Sequence, residues 1–302
     1  MTTQNPKFEH VKVAFDNVPQ QGKPHTFTVP LTIHIPYFPH IQGIVHYGNR
    51  FVLSHNLFSP YNEGLYVVMS TQSWEVTQVF WTPDSGYPHP GGMQVIGDYL
   101  VAPIEDGGPT KSRVHFYDLS TMTDTSPPTL LATYVDRPSG GAGAAGMTSY
   151  TVGDTEYYLL AVYDNGALDF YQWEGSPAPS DNSQSPLFSV TLNATDYSAV
   201  CLLTGTDQKV YLIGFHTKDY WGTNQDWASL HHVDLDSQTV EAPLDKRHME
   251  TTHGLLPGAL GVHFRYGAGL AIIPGTGDAD ASLKFYATAR NFFERQLTTN
   301  SF

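Results

Sequence analysis

Short apolar-polar alternations separated by turn dipeptides run along most of this chain, and no long stretch carries an apolar i, i+3, i+4, i+7 stripe. Three features recur in the same order five times. The first is a small residue before an apolar one: Gly43-Ile44, Gly92-Met93, Gly146-Met147, Ala199-Val200 and Gly261-Val262. A hairpin-turn pair follows: Gly48-Asn49, Gly97-Asp98, Gly153-Asp154, Thr206-Asp207 and Gly267-Ala268. Gly, Asn and Asp tolerate the positive φ of two-residue hairpins, so each pair predicts two antiparallel strands. The third feature is an alternating strand, beginning at Tyr66, Val114, Leu168, Leu230 and Leu283.

The small residues are 49, 54, 53 and 62 residues apart, close to the period of propeller blades. From first to third feature the distance is 23, 22, 22, 31 and 22 residues, so four units keep phase and the fourth carries an insertion. The predicted fold is all-β: a single five-bladed propeller of four-stranded blades, with repeats near 36–85, 86–138, 139–193, 194–256 and 257–302. The last repeat is short of an outer strand. Val11, Val13 and Phe15 alternate with Lys12 and Ala14, which predicts an N-terminal strand over 7–17 that closes the ring. The alternating run Phe27 to Ile35 is a second strand able to do the same.

Composition agrees. Gly (27), Pro (21), Tyr (18) and Phe (16) are plentiful, and charged residues make up only 15 %. With 15 Lys+Arg against 29 Asp+Glu, the net charge of −14 argues against nucleic acid and anionic membrane surfaces as partners. Cys201 is the only cysteine, so an internal disulfide or a multi-Cys zinc site is ruled out. The start of the sequence lacks a basic and then apolar leader pattern, which predicts a cytoplasmic protein. Oligomeric state has no sequence signal.

The three in-phase features resemble those of five-bladed β-propellers, at the level of architecture, over nearly the whole chain. Proteins of this shape include glycosidases and lectins, and the resemblance to the glycosidases implies three carboxylates spread over the inner strands. The corresponding positions here hold His40, His89, Gly143, Asp196 and Gly258, so that pattern is absent. Function therefore has to be argued from the site.

Antiparallel order puts the start of each inner strand and the end of each second strand at one end of the ring. His40, Gln42 and His89 belong to inner-strand starts; His55, Asn56, Glu105, Asp106, Asp164 and His216 to second-strand ends. The repeat-four insertion brings Trp221 and Trp227, either as a ligand-stacking lid or as a loop folded on its own blade. His253 precedes the last inner strand and His263 lies within it. His40 and His89 each stand three residues before the small residue of their repeat. They read as an acid/base pair assisted by Glu105 or Asp106, as ligands of a divalent metal, or as histidines that only fix Pro-flanked turns. Lys246 and Arg247 form a basic pair for an anionic group or a solvated turn.

Other motifs dissolve in context. Gly141 to Gly146 matches G-x-G-x-x-G, but a hairpin follows where a dinucleotide site needs a helix, so no nucleotide cofactor is expected. Asn193-Ala194-Thr195 is a sequon, Asp278 and Asp280 lack the rest of a calcium loop, and Cys201 reads as packing. Polar residues differ from blade to blade while turn and packing positions recur. This predicts one composite pocket acting on a small molecule as a hydrolase, lyase or isomerase. The alternative is a non-catalytic glycan- or protein-binding propeller.

Overall fold

The computed structural model describes residues 6–35, 40–57, 62–192, 196–220, 223–251, 261–275 and 280–302. Five antiparallel units of four strands surround an axis. The first contains Ile41–Tyr47, Arg50–His55, Leu65–Ser70 and Glu75–Trp81. In the second the inner strand is broken into His89–Pro90 and Gln94–Ile96, followed by Tyr99–Glu105, Ser112–Asp118 and Thr129–Arg137. Ala144–Val152, Thr155–Asp164, Ala167–Glu174 and Phe188–Thr191 build the third. The fourth has Ala199–Thr204, Val210–Tyr220 and Thr223–Asp234, whose outer edge pairs with both Thr239–Val240 and Asp245–Met249. The fifth comprises Val262–Ile273, Ser282–Ala289, Gln296–Ser301 and, as its outer strand, Lys23–Thr28. Single parallel bridges, Gly43 to Ala268 and Thr28 to Glu75, join the fifth blade to the first.

The N-terminus does close the ring, but with a different segment from 7–17. Lys23–Thr28 pairs antiparallel with Gln296–Ser301, and Phe27 is fully buried. Val11–Asp16 is a helix instead. Val11, Ala14, Phe15 and Val18 are buried while Val13 is 51 % exposed, so the apolar period that packs is i, i+3, i+4 and not two. Phe15 rests on Phe285 with ring centroids 5.8 Å apart. The basic pair is used here as well, because Arg247 Nη1 donates to the carbonyls of Phe15 and Asp16 and so holds the C-terminal turn of the helix.

Four of the turn pairs sit at strand junctions, and Gly48, Gly97 and Gly153 have the expected positive φ of 59°, 55° and 61°. The fifth is different. Gly267-Ala268 lies inside Val262–Ile273, whose pairing with the next strand shifts between His263 and Ala268. Residues 264–267 form a bulge, and the strand containing Leu283 is consequently the second of its blade, not the third.

Close approach at the axis explains the recurring small residues. Gly92 N donates to Gly143 O at 2.9 Å and Ala145 N to Gly92 O at 2.9 Å, so the inner strands of two blades share backbone hydrogen bonds. A Cβ on Gly146 would stand 2.8 Å from Cys201 Cα, and one on Gly43 3.0 Å from Gly92 Cα. Buried Gln94 ties three blades together: its Oε1 accepts from Met147 N and Leu202 N, and its Nε2 donates to Leu202 O. Cys201 is wholly buried in this contact, which raises its thiol pKa to about 12. No helix among the described residues is long and apolar enough to cross a membrane.

Gly146→Ala is expected to cost about 1–3 kcal/mol, because its methyl group meets backbone that cannot turn aside. Gly48→Asn, at a turn with nothing within 4 Å of the added Cβ, serves as the comparison and costs less. Thermal melts of the two variants check this, and equal melting points would contradict the axial constraint.

Candidate functional site

His40 and His89 stand close together, but of the two only His89 lines the adjoining cavity. Their ring centroids are 6.1 Å apart, although they come from different blades. Gln42 lies between them, its Nε2 2.7 Å from His89 Nε2 and also in contact with His40 Nε2. An amide has two hydrogens to donate, so both imidazoles accept at Nε2 and carry their protons on Nδ1. The proton on His89 Nδ1 is directed at Glu105 Oε1, 2.6 Å away.

Local pairing produces that contact. His89 and Glu105 are direct cross-strand partners, which sets the ring and carboxylate side by side. Glu105 Oε2 accepts from Ala142 N at 2.7 Å, and the glutamate side chain is only 8 % exposed. His89 is 29 % exposed and reaches the adjoining cavity. Glu105 is thus the carboxylate that serves His89. Asp106, the other expected partner, does not line the cavity: it is partly buried and caps its own turn by accepting from Thr110 N and Thr110 Oγ1.

The cavity has a volume of about 300 Å³ and is mostly polar. Gln42, His89 and Glu105 form one side; Asp164, Asp196, Thr217 and Arg265 contribute from the third, fourth and fifth blades. Asp164 Oδ2 accepts from Gly141 N at 2.8 Å, and Asp196 Oδ1 accepts from Tyr163 Oη at 3.3 Å. Gly143, at an inner-strand start, leaves room at the wall.

Other expected residues stand behind or away from this wall. Asn56 is a support, its Oδ1 accepting from His40 N at 2.7 Å. His55 is buried with its ring 6.2 Å from Phe292, and its Nδ1 has no partner among the described residues. His216 packs edge-on against Tyr197, and Trp227, half-buried, lies against His248 at 5.1 Å. Neither lines the cavity. The insertion is an extension of the hairpin formed by Val210–Tyr220 and Thr223–Asp234, so Trp227 is strand and not lid. Trp221 and His253 lie outside the described residues, as do Gly258 and the sequon.

His263 is buried, and its Nδ1 is 2.8 Å from Asp226 Oδ2. Asp226 was not apparent from sequence. It is 1 % exposed and also accepts from Thr217 Oγ1, Phe264 N and Thr251 Oγ1. No local motif marks it, because all four donors come from other segments. Arg265, Thr217 and Tyr163 were likewise missed; their approach to the cavity depends on the bulge and on strand lengths.

For metal binding the arrangement offers little. Among the described residues no group of three or more His, Cys, Asp or Glu is placed to hold an ion. His40 and His89 direct their Nε2 atoms to an amide, not to a shared third ligand.

Burial lowers the His40 pKa to about 4, with further contributions from His89 and Arg290, and lowers that of His55 to about 3, with His40 adding to the effect. No protein-family model matches the chain, and no curated protein matches it. Among solved structures, a candidate glycoside hydrolase from Bacteroides ovatus ATCC 8483 is 12 % identical, with a TM-score of 0.46 over 98 % of this chain and 96 % of that one. The Bombyx mori GH32 β-fructofuranosidase is 16 % identical, with a TM-score of 0.41 over 95 % and 64 %. The GH43 BlXynB protein from Bacillus licheniformis is 12 % identical, with a TM-score of 0.42 over 91 % and 54 %. Similarity this remote leaves the chemistry to be argued from the site.

The depressed imidazoles make stability pH-dependent. Folded His55 and His40 bind protons only near pH 3 to 4, whereas unfolded histidine does so near 6.5, so the unfolded state takes up more protons in between. Stability is expected to be full above about pH 6.5 and to fall toward pH 4, by up to about 1.4 kcal/mol per pH unit for each group. Urea denaturation at pH 7.5 and 5.0 measures this. His55→Asn flattens the dependence, and a midpoint in wild type that does not change with pH would refute it.

Proposed function

We propose that this protein is an enzyme that uses His89, oriented by Glu105, as the acid/base group toward a small polyhydroxylated molecule in the axial cavity. The supporting observation is the buried Glu105 bonded to Nδ1 of His89, a residue that lines the cavity. When the Gln42 amide turns aside, Nε2 takes a proton from water or a substrate hydroxyl. The positive charge that develops on the ring is stabilised across the 2.6 Å contact, where the shielded carboxylate is weakly screened. Gln42 fixes the ring and identifies Nε2 as the acceptor before substrate arrives.

Asp164, Asp196 and the Gln42 carbonyl offer acceptors and Arg265 offers donors, on several sides, which suits a molecule with many hydroxyl groups. Hydrolysis is the reaction this set supports best: His89 takes a proton from the attacking water, and the resulting imidazolium returns that proton to the leaving oxygen. A lectin-like role fits less well. The inner-strand starts carry His40, His89, Gly143 and Asp196, so the polar groups do not repeat from blade to blade as a multivalent binder would require.

His89→Ala is expected to lower kcat about 10²- to 10⁴-fold on whichever member of a chromogenic glycoside and sugar-ester panel is turned over, with the fold intact by circular dichroism. Glu105→Gln should lower kcat with little change in KM. Undiminished turnover by His89→Ala removes the proposal.

A further inference from the structure

The bulge in the fifth inner strand has a chemical consequence. Residues 264–267 are extruded between the His263–Thr288 and Ala268–Ala287 pairs, which lifts Arg265 to the cavity wall. Its backbone is held there: Arg265 N donates to Thr217 Oγ1 at 2.8 Å, and Thr217 Oγ1 donates to buried Asp226 at 2.6 Å. Asp226 also binds Phe264 N and His263 Nδ1, the two residues immediately before Arg265. A carboxylate removed from water and given four donors is a costly feature unless it fixes something in place. Here it fixes the segment that carries a guanidinium to the substrate cavity.

Arg265 is the only Lys or Arg lining that cavity among the described residues. Glu105, Asp164 and Asp196 line the same space, yet none of them forms an ion pair with it. The one side-chain hydrogen bond Arg265 makes among the described residues is a long one, 3.4 Å, to Asn224 Oδ1. Its remaining donors are thus available to a ligand, and a guanidinium offers the paired geometry that a carboxylate matches.

Building on the acid/base reading above, we infer that the substrate is a sugar acid and that Arg265 is the residue that selects its carboxylate. The three wall carboxylates repel a bare anion such as phosphate, but they accept hydrogen bonds from hydroxyl groups. A molecule bearing several hydroxyls and one carboxylate meets both walls at once. Asp226 is a positioning residue for this recognition, acting through Thr217 and the backbone of the bulge.

Titration of the full chain with three probes tests this: D-glucuronate, its methyl ester and D-glucose, with D-galacturonate and its two counterparts as a second stereochemical set. The acid is expected to bind about tenfold or more tightly than ester and neutral sugar, by a margin that shrinks with added salt. Arg265→Gln abolishes the margin while leaving neutral-sugar binding in place, and Asp226→Asn reduces it in a variant checked for folding by thermal melt. His89→Asn keeps the margin, which separates recognition from catalysis. Equal binding of acid, ester and neutral sugar overturns the assignment and spares the acid/base reading. Binding of none of the probes overturns both.

Discussion

Everything in this molecule follows from how closely the inner strands approach the axis. Backbone hydrogen bonds pass directly between blades at Gly92, Gly143 and Ala145, a distance at which a Cβ on Gly92 would stand only 3.0 Å from Ser198 O. Gly43, Gly92 and Gly146 are therefore steric requirements. Crowding also leaves buried amides at strand positions that no neighbour within the blade can satisfy. Gln94 meets that need by bonding backbone groups of two other blades, with both its carbonyl oxygen and its amide nitrogen engaged. Interior glycine is entropically unfavourable in a strand, and here that loss is offset by contacts only glycine permits.

The same constraint decides where chemistry can sit. At the mouth of the ring the strands diverge, and side chains separated by tens of residues meet. His40, Gln42, His89 and Glu105 become one hydrogen-bonded row because a cross-strand pair and two inner-strand starts share that mouth. Burial then lowers the basicity of the His40 imidazole.

Much of this architecture could be read from residue order, since turn dipeptides and small residues recur in register and their physical demands are local. His40 and His89 were legible for the same reason, each having a fixed offset from its glycine. The helix at Val11–Asp16 was not, because Val11, Val13 and Phe15 fit a period of two as well as the true set of Val11, Ala14 and Phe15 fits a helix. Only packing against Phe285 and the bonds from Arg247 decide between them. Gly267-Ala268 predicts a turn by the same backbone rule as the other pairs, yet it ends the bulge at 264–267, since that rule is satisfied in either setting. Asp226 had no signal at all: a carboxylate becomes a buried anchor through donors from three other segments, none visible from its neighbours in sequence.

Repeat and departure from repeat divide the work between them. Positions that touch the axis are alike from blade to blade because each faces the same steric problem, and changing one strains its neighbours. Positions at the mouth face solvent or ligand and are free to differ, so five copies of one framework supply a histidine, a glutamine, a glycine, an aspartate and an arginine to one cavity. A bulge is the economical way to add the arginine, since it advances one side chain into the mouth and lets the strand return to register at Ala268, where the bridge to Gly43 keeps the ring closed. Divergent chemistry is compatible with a demanding core here because the irregular segment ends before the axial contact begins.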